Sequence, residues 1–283
     1  MRLDQYGPYG VRATPRFSAR LQVEDYGTLR ASAGRAYRMP NLISDNIHFI
    51  GMGRYYQIES IGLDVANNFG LSYIQKIFLG GPTELNLSVD LYHTYFKKQN
   101  IQDIESETRN IINRYVDEGS RINYFLVQNQ IQLNANLGFK VAYKYTDAQY
   151  RLASDQALIS RMYLPKHRAL FTLDVNSNES IWLANFTLQW VGTQRLLDIS
   201  SYPTPGSSGR PNRSPSYFLI NFHLSHNIGK FEVYSGMENA TNYVQDYQIV
   251  SPTATGSRYF DATRLYAPNM GLRWYAGIKY SLL

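Results

Sequence analysis

The chain has 283 residues, a formal net charge of +6, no cysteine and 24 tyrosines. The lack of cysteine excludes disulfides and thiolate metal sites, and the absence of a Lys/Arg run gives no indication of a nucleic-acid surface. No apolar run reaches the ~18 residues of a spanning helix, which excludes a helical membrane protein. Strands that cross a membrane remain compatible with the sequence, because only half of their residues are apolar.

Apolar and polar residues alternate in many segments along the chain, which is the period of a strand with two different faces. The apolar members of the clearest segments are Phe17, Ala19, Leu21 and Val23; Leu85, Leu87, Val89 and Leu91; Leu137, Phe139, Val141, Tyr143 and Tyr145; Ala169, Phe171, Leu173 and Val175; Trp182, Ala184, Phe186, Leu188 and Trp190; Phe218, Ile220, Phe222 and Leu224. We predict about eleven strands, many near the ~9–11 residues of a tilted membrane strand. Strands of soluble proteins are usually about five or six residues long.

The predicted connections alternate between two kinds. Tight turns rich in Gly, Pro, Asn and Asp are expected at residues 25–27, 80–83, 134–136, 177–180 and 228–229. Long loops are expected at residues 41–57, 98–120, 147–166, 192–216 and 240–268. This order predicts an up-and-down meander with all long loops at one end, as in outer-membrane barrels. A soluble sandwich or barrel would also alternate, but the long strands and segregated loops favour a membrane barrel.

The histidines give no indication of a metal site. His223 and His226 lie three residues apart, so on a strand they point to opposite faces and cannot share an ion. His93 falls on the apolar parity of its strand and is expected to be packed there.

Other motifs of catalysis are also missing. Asp103, Glu105 and Glu107 form an acidic group in a predicted loop and are interpreted as solvated charges rather than as general acid–base residues. No phosphate-binding glycine loop, nucleophile elbow or zinc-protease motif occurs. The sequence therefore predicts no enzyme activity, no catalytic or metal site and no cofactor.

Several segments, in their order and spacing, resemble the C-terminal half of the β-barrel of TonB-dependent outer-membrane receptors. They are "TPRFSARLQ" with "GTLRASAGRAYRMPN", "ESIGLDVANNFGLSY", "LSVDLYHTYFKKQNIQDIE", "SGMENATNYVQDYQIV" and "APNMGLRWYAGIKYSLL". The resemblance covers nearly the whole chain. It implies an all-β, antiparallel, up-and-down transmembrane segment with about eleven of the 22 strands of such a barrel.

The closing segment resembles the strand that the barrel assembly machinery recognises in this family. The matching residues are Tyr275, Gly277, Tyr280 and Leu282. The chain ends on Leu283, where members usually end on Phe. Alternation places Trp274, Ile278 and Tyr280 toward lipid, with Arg273 and Lys279 toward the lumen.

The resemblance also implies a domain organisation. Residues 1–283 correspond to the C-terminal part of the barrel, without the plug domain and signal peptide of the family. In isolation such a segment is expected to form an open half-barrel, with the strand near residues 16–24 unpaired with the strand near residues 271–282.

The implied function is that of a receptor in the outer membrane of a Gram-negative bacterium, which takes up a bulky nutrient such as a siderophore, cobalamin or glycan with energy from TonB. The implied partners are outer-membrane lipid, the barrel assembly machinery, the TonB complex through the missing plug, and a surface-exposed lipoprotein that binds the substrate; nucleic acid is not among them. Tyr and Arg suit sugar stacking, siderophore rings and anionic groups. The loop residues of these types that we expect to bind ligand are Arg54, Tyr55, Tyr56, Tyr202, Arg210, Arg213, Arg258, Tyr259 and Arg264.

Two other classes remain open from the residues alone. One is a self-contained barrel of roughly twelve strands, acting as a passive pore or an outer-membrane hydrolase. The other is a soluble β-protein that binds carbohydrate. A closed ring of strands would identify the first, and two stacked sheets would identify the second.

Overall fold

The structure is a computed structural model that describes residues 2–177, 181–200, 211–251 and 255–282. Its regular structure consists of strands and two 3-10 helices, Gly7–Tyr9 and Ser44–Gly51. Within the described residues, no helix is long and apolar enough to cross a membrane. The prediction of an all-β chain is confirmed.

The strands are numbered in chain order. They are β1 (Arg2–Gln5), β2 (Val11–Thr14), β3 (Arg16–Val23), β4 (Gly27–Arg38), β5 (Tyr55–Ile58), β6 (Asp64–Gly80), β7 (Thr83–Asp103), β8 (Asn110–Asn134), β9 (Leu137–Tyr150), β10 (Ile159–Ser160), β11 (His167–Asn176), β12 (Trp182–Val191), β13 (Tyr217–Ile228), β14 (Phe231–Glu238) and β15 (Arg273–Tyr280).

Eleven of these strands form one continuous antiparallel path, in the order β15-β14-β13-β12-β11-β9-β8-β7-β6-β4-β3. Strand β5 adds to β8 in parallel, β10 adds to β9, and β1 pairs with β2 in a separate hairpin. Along this path each strand pairs with the path strand that comes next in the chain, as the meander prediction requires; only the short strands β5 and β10 are passed over. A second stacked sheet is not observed in the described part of the chain, so the soluble sandwich is ruled out.

The sheet is open. Among the described residues, β3 pairs only with β4 and β15 pairs only with β14. The predicted open half-barrel is confirmed, and the self-contained closed barrel is wrong.

The long connections all lie at one end of the sheet, but two of them are shorter than predicted. Strand β7 continues to Asp103 and β8 begins at Asn110, so the predicted loop at residues 98–120 is mostly a protruding hairpin. Strand β9 likewise continues to Tyr150. Strands β7 and β8 have 21 and 25 residues, which is more than the ~9–11 residues needed to cross a membrane. The additional residues of the two strands pair with each other beyond the part that would cross the bilayer.

The register separates the two faces as the alternation predicts. Laterally paired residues share a face, and one row of such pairs is entirely apolar: Leu85, Ile131, Phe139, Leu173, Phe186, Phe222, Met237 and Trp274. The adjacent row is mostly polar: Lys76, Asn86, Gln130, Lys140, Thr172, Thr187 and Asn221. We call these the apolar face and the polar face. By the same register, Phe171 and Ile278 lie on the apolar face, and Asp174 and Lys279 lie on the polar face.

The histidines occupy the faces that their spacing predicts. The His223 Nδ1 atom lies 2.9 Å from the Tyr275 hydroxyl on the polar face. The His226 ring stacks on Trp182 on the apolar face, with ring centroids 3.9 Å apart. His93 is exposed on the apolar face and contacts Asn123 at 2.7 Å, so the expectation that it is packed is wrong in this open sheet.

The closing strand is fitted to its neighbour by reciprocal pairs of tyrosine and glycine. Tyr234 lies opposite Gly277, and Gly236 lies opposite Tyr275. A Cβ added to Gly277 would lie 2.4 Å from the Tyr234 hydroxyl, and one added to Gly236 would lie 2.4 Å from the Tyr275 ring. Each ring therefore covers a glycine of the facing strand, as in aromatic rescue of edge glycines.

The GMENATN segment ends β14 and directs the chain back to β15. Asn239 and Asn242 adopt φ values of 51° and 53°, which asparagine tolerates better than most residues. The Asn239 amide donates to the carbonyls of Tyr243 and Met270 at 2.8 and 3.0 Å. The Asn242 side chain accepts from the Leu272 amide at 2.9 Å. Two asparagines thus tie both ends of a long loop together.

The packed protein core lies in the loops rather than against the sheet. A cluster that we call the loop core contains at least one residue from each of the five long connections or the strand ends beside them. Its members are Met52, Ile104, Ile111, Met162, Leu197, Ile199 and Val250, with Phe49, Tyr163 and Tyr259 packed against them. By contrast, Phe69, Trp274 and Ile278 on the apolar face are 53%, 69% and 71% exposed.

Introducing lysine at Phe222, at mid-strand on the apolar face, is expected to lower the free energy of unfolding in lipid vesicles by about 2–4 kcal/mol, because the charge enters hydrocarbon. Asn221→Lys is the matched control, since its side chain is on the polar face. Urea titration of the inserted protein measures both. Equal stability of the two variants would contradict the face assignment.

Ile111→Ala is expected to destabilise the loop end by about 2–5 kcal/mol, because it opens a cavity at a residue that is 1% exposed. Hydrogen exchange should rise in all five long connections together, since they share the loop core. Ile43→Ala, in the first of these loops and 80% exposed, is the control and should change little. Faster exchange confined to residues around 111 would refute a shared core.

The 283-residue chain alone is expected to aggregate rather than conduct ions, because β3 and β15 each leave one row of backbone N–H and C=O groups unpaired. Size-exclusion chromatography and planar-bilayer recording test this. A monodisperse monomer with a reproducible conductance would show that the edges close.

Candidate functional site

The candidate site is a cavity of about 810 Å³ where the polar face meets the long loops. Its floor follows one lateral row of the sheet, formed by Ala36, Ala66, Phe96, Ser120 and Tyr150. Its walls come from the loops at 39–63, 151–166 and 239–272. Ligand pockets usually measure about 300–1,000 Å³, so this cavity has the volume to hold a drug-sized molecule.

One wall of the cavity is an internal polar network around Asp64, which is 3% exposed. The Arg38 guanidinium donates to Asp64 from Nε and Nη2 at 3.1 and 2.9 Å and contacts Asp45 at 3.2 Å. The Asn100 backbone and side-chain amides donate to the other Asp64 oxygen at 2.7 and 2.6 Å. Arg38 opens the RMPN segment, so this motif anchors the first long loop to the sheet.

A second wall contains Arg264, whose guanidinium forms a buried ion pair with Asp261. The backbone of Asp261 bridges to both Met52 and Val250 of the loop core. Arg264 also lies over the Tyr163 ring, 5.7 Å from its centroid. Arg264 therefore holds the loops together. It is one of the predicted ligand residues, and it also lines the cavity.

His48 lines the cavity next to this ion pair. Partial burial, and secondarily the charge of Arg264, lower the pKa of the imidazole. The ring is therefore neutral at pH 7 and offers one hydrogen-bond donor and one acceptor to the cavity.

The acidic residues that the sequence suggests are solvated are in fact engaged in the fold, with Glu107 the most exposed of them. Asp103 is 1% exposed and pairs with Arg114 at 3.2 Å. Glu105 forms an ion pair with Arg195 and accepts from the Tyr150 hydroxyl. The interpretation as solvated charges is wrong for Asp103 and Glu105, because the protruding hairpin brings them under neighbouring loops.

Four residues form a group at the outer tip; Tyr55, Arg109 and Arg258 are exposed, and Tyr259 is partly buried against the loop core. The Arg258 guanidinium donates to the Tyr55 hydroxyl at 2.6 Å and lies 4.0 Å from that ring's centroid. Arg109 donates to the Tyr259 hydroxyl at 3.0 Å. The Tyr55 amide also donates to the Arg109 carbonyl at 3.0 Å, so the two pairs are neighbours. The structure thus brings together Tyr55, Arg258 and Tyr259 of the predicted ligand residues.

The remaining predicted ligand residues do not form one site. Arg54 is 8% exposed, and its guanidinium donates to the carbonyl of Ile104 at 2.9 Å, which is a structural role. The Tyr56 hydroxyl accepts from Asn46 beside the cavity at 3.3 Å, and partial burial raises the pKa of this phenol. Arg213 is exposed and pairs with Arg195 through its backbone. Tyr202 and Arg210 lie outside the described residues.

Several cavity residues were missed by sequence reasoning. They are Arg38, His48, Gln99, Gln102, Gln149 and Arg161. Arg161 is the exception among the cavity cations, because within the described ranges it forms no ion pair, whereas Arg38 and Arg264 do. Among these residues, only Arg38 lies in a segment, RMPN, that the sequence resemblance includes. The other five lie on strand ends and loops that only the fold brings together.

Comparison with known proteins identifies the fold. A family model described as TonB dependent receptor-like, beta-barrel, matches residues 2–240. No curated protein matches the sequence. The structure is similar to the ferric-catecholate import receptor Fiu from K12 E. coli, with a TM-score of 0.65 and 12% identity over 96% of this chain and 35% of that chain.

Two further receptors are similar. The FrpB iron transporter from Neisseria meningitidis has a TM-score of 0.61 and 12% identity, covering 96% of this chain and 39% of that chain. The ferric citrate transporter FecA has a TM-score of 0.64 and 16% identity, covering 95% and 38%. This chain thus spans between 35% and 39% of the length of the three receptors. The matched family model and the open eleven-strand meander together show that this chain belongs to the TonB-dependent receptor family and forms part of its β-barrel.

Proposed function

We propose that residues 1–283 form the C-terminal part of the barrel of an outer-membrane importer, and that the cavity under the loop core binds its substrate. The observation that carries the proposal is the cavity itself. It lies where the loops at 39–63, 151–166 and 239–272 meet the polar face, and cationic, aromatic and amide side chains converge on it. Transport with energy from TonB, assembly by the barrel machinery and contact with a substrate-binding lipoprotein belong to the same proposal.

The favoured substrate is an anionic metal chelate. Arg161 contributes a cation to the cavity that no carboxylate of the described residues neutralises within ion-pair distance. Gln102 and Gln149 add amide groups, and Tyr37, Phe49 and Tyr163 add aromatic rings. This combination suits a ligand with both carboxylate or catecholate oxygens and apolar rings. Two of the three similar receptors carry iron chelates in their names, which supports this class over an uncharged glycan or cobalamin.

The group at the outer tip supports an approach path for the same ligand. Arg109 and Arg258 each lie over a tyrosine ring, at 5.8 and 4.0 Å from its centroid. Within the described residues neither guanidinium forms an ion pair, so both can attract an anion before it reaches the cavity. Tyr55, Arg258 and Tyr259 therefore remain proposed ligand contacts, together with Arg161.

Arg161→Ala is expected to weaken binding of ferric citrate or a ferric catecholate by ~10- to 100-fold, because a charge-assisted hydrogen bond contributes about 1.5–3 kcal/mol. Calorimetric titration of the receptor in detergent measures this. Arg151→Ala, which removes the same charge from the same loop but outside the cavity, is the matched control.

A maltooligosaccharide serves as the uncharged probe and should bind neither variant. Unchanged affinity of the Arg161→Ala receptor would show that the cavity is not the ligand site. Binding of the uncharged probe, with no binding of either chelate, would overturn the substrate class.

A further inference from the structure

His48 lines the cavity with a ring whose nitrogens are not used by the fold. The residue lies in the 3-10 helix Ser44–Gly51 and remains accessible to solvent. Within the described residues, neither ring nitrogen forms a hydrogen bond or an ion pair. The other four histidines lie on strands β7, β11 and β13, outside the cavity lining. His48 is therefore the histidine that is available to a ligand in the cavity.

The loop core fixes the position of this histidine at the cavity wall. The His48 ring packs on the Phe49 ring, with centroids 4.0 Å apart, and Phe49 packs against the loop core. Arg161 occupies a matching position, because it lines the cavity beside Met162, a buried member of the same cluster. The backbone next to both side chains is thus held by packing, while their polar groups reach the cavity.

The carboxylates in and beside the cavity are already paired with arginines. They are Asp45 of the same 3-10 helix, Asp64 of β6 and Asp261 of the loop at 239–272, and their partners are Arg38 and Arg264. The phenols of the wall belong to Tyr37, Tyr150 and Tyr163, and its remaining cation is Arg161. Histidine is the side chain whose ordinary pKa lies between about pH 5 and 8. Within the described lining, His48 is therefore the group whose charge changes in this range.

An anion in the cavity would reverse the balance that keeps this ring neutral. In the empty cavity, partial burial and then the charge of Arg264 lower the pKa of His48, and Asp261 opposes them only in part. An opposite charge within ~4–6 Å favours the protonated imidazole, which then donates hydrogen bonds from both nitrogens. We infer that His48 is a ligand contact that takes up a proton as an anionic chelate enters the cavity, so that affinity increases as the pH falls. This inference rests on the function proposed above.

The direction of the pH dependence follows from the two states of the ring. Ligand binding raises the pKa of His48, so the bound receptor holds one more proton than the free receptor between the two pKa values. Affinity is lowest above the pKa of the bound state and highest below that of the free state. Because one proton is coupled to binding, affinity rises by at most about tenfold per pH unit between them.

Calorimetric titration in two buffers tests the proton uptake. The receptor in its natural form, in detergent at about pH 6.5, is titrated with ferric citrate and with a ferric catecholate, once in PIPES and once in ACES. These buffers differ in their enthalpy of ionisation, so the heat of binding is expected to differ between them when the buffer supplies a proton. His48→Gln should still bind the chelate but lose this difference. His223→Gln, which alters a histidine on the polar face outside the cavity lining, is the matched control and should keep it.

The affinities measured over a range of pH give a second readout. From about pH 8 to about pH 5, the affinity of the unmodified receptor is expected to rise ~10- to 100-fold more than that of His48→Gln, the gain of one charge-assisted contact. Protonation of the chelate itself affects both proteins equally and cancels in this comparison. His48→Lys supplies a permanent charge and should bind tightly at both ends of the range.

The outcomes separate this inference from the proposed function. Binding heat that is the same in both buffers would overturn the proton uptake and leave the cavity as the ligand site. A buffer difference that persists in His48→Gln would assign the proton to another group and likewise overturn the inference. The absence of binding heat with either chelate would overturn the proposed function, and the inference with it.

Discussion

The structure depends on a single-layer sheet whose apolar face has no protein packed against it. Eleven strands satisfy one another's backbone hydrogen bonds, yet residues such as Trp274 and Ile278 remain more than two-thirds exposed. In water that exposure is unfavourable. In a bilayer the same face meets hydrocarbon, where a closed ladder of backbone pairs is the main requirement for stability. Lipid on one face and an aqueous lumen on the other therefore explain the alternation in most strands of the main path.

A conventional hydrophobic core occurs only above the sheet, in the loops. Residues such as Ile111 and Val250 belong to different connections, but they pack into one cluster that is nearly inaccessible to solvent. Ion pairs strengthen the same junctions: a buried pair of Asp261 with Arg264, and a partly buried pair of Glu105 with Arg195. Removing one partner of the Asp261–Arg264 pair would leave a buried charge. The long loops consequently form a common roof over the cavity, and a ligand in the cavity contacts residues whose positions are interdependent.

The polar face contains both cations that pair with carboxylates of the sheet and cations that lie opposite other cations. Lys76 and Lys279 have carboxylates on the next strand, and their charge is balanced inside the sheet. Arg20 and Lys144 face other cations instead.

The sequence by itself determined the strand content, the division into two faces and the order of tight and long connections, because these follow from period-two alternation and turn chemistry that are local along the chain. It also placed His223 and His226 on opposite faces and identified the family. Only the tertiary structure decided that β7 and β8 extend beyond the bilayer-sized segment, that Asp103 and Glu105 are engaged in ion pairs, and that Arg161 and His48 line one cavity with Arg264. These outcomes depend on pairing and packing between segments as far apart in sequence as Met52 and Arg264, which are 212 residues apart, and no local pattern of residues encodes which distant side chains will meet.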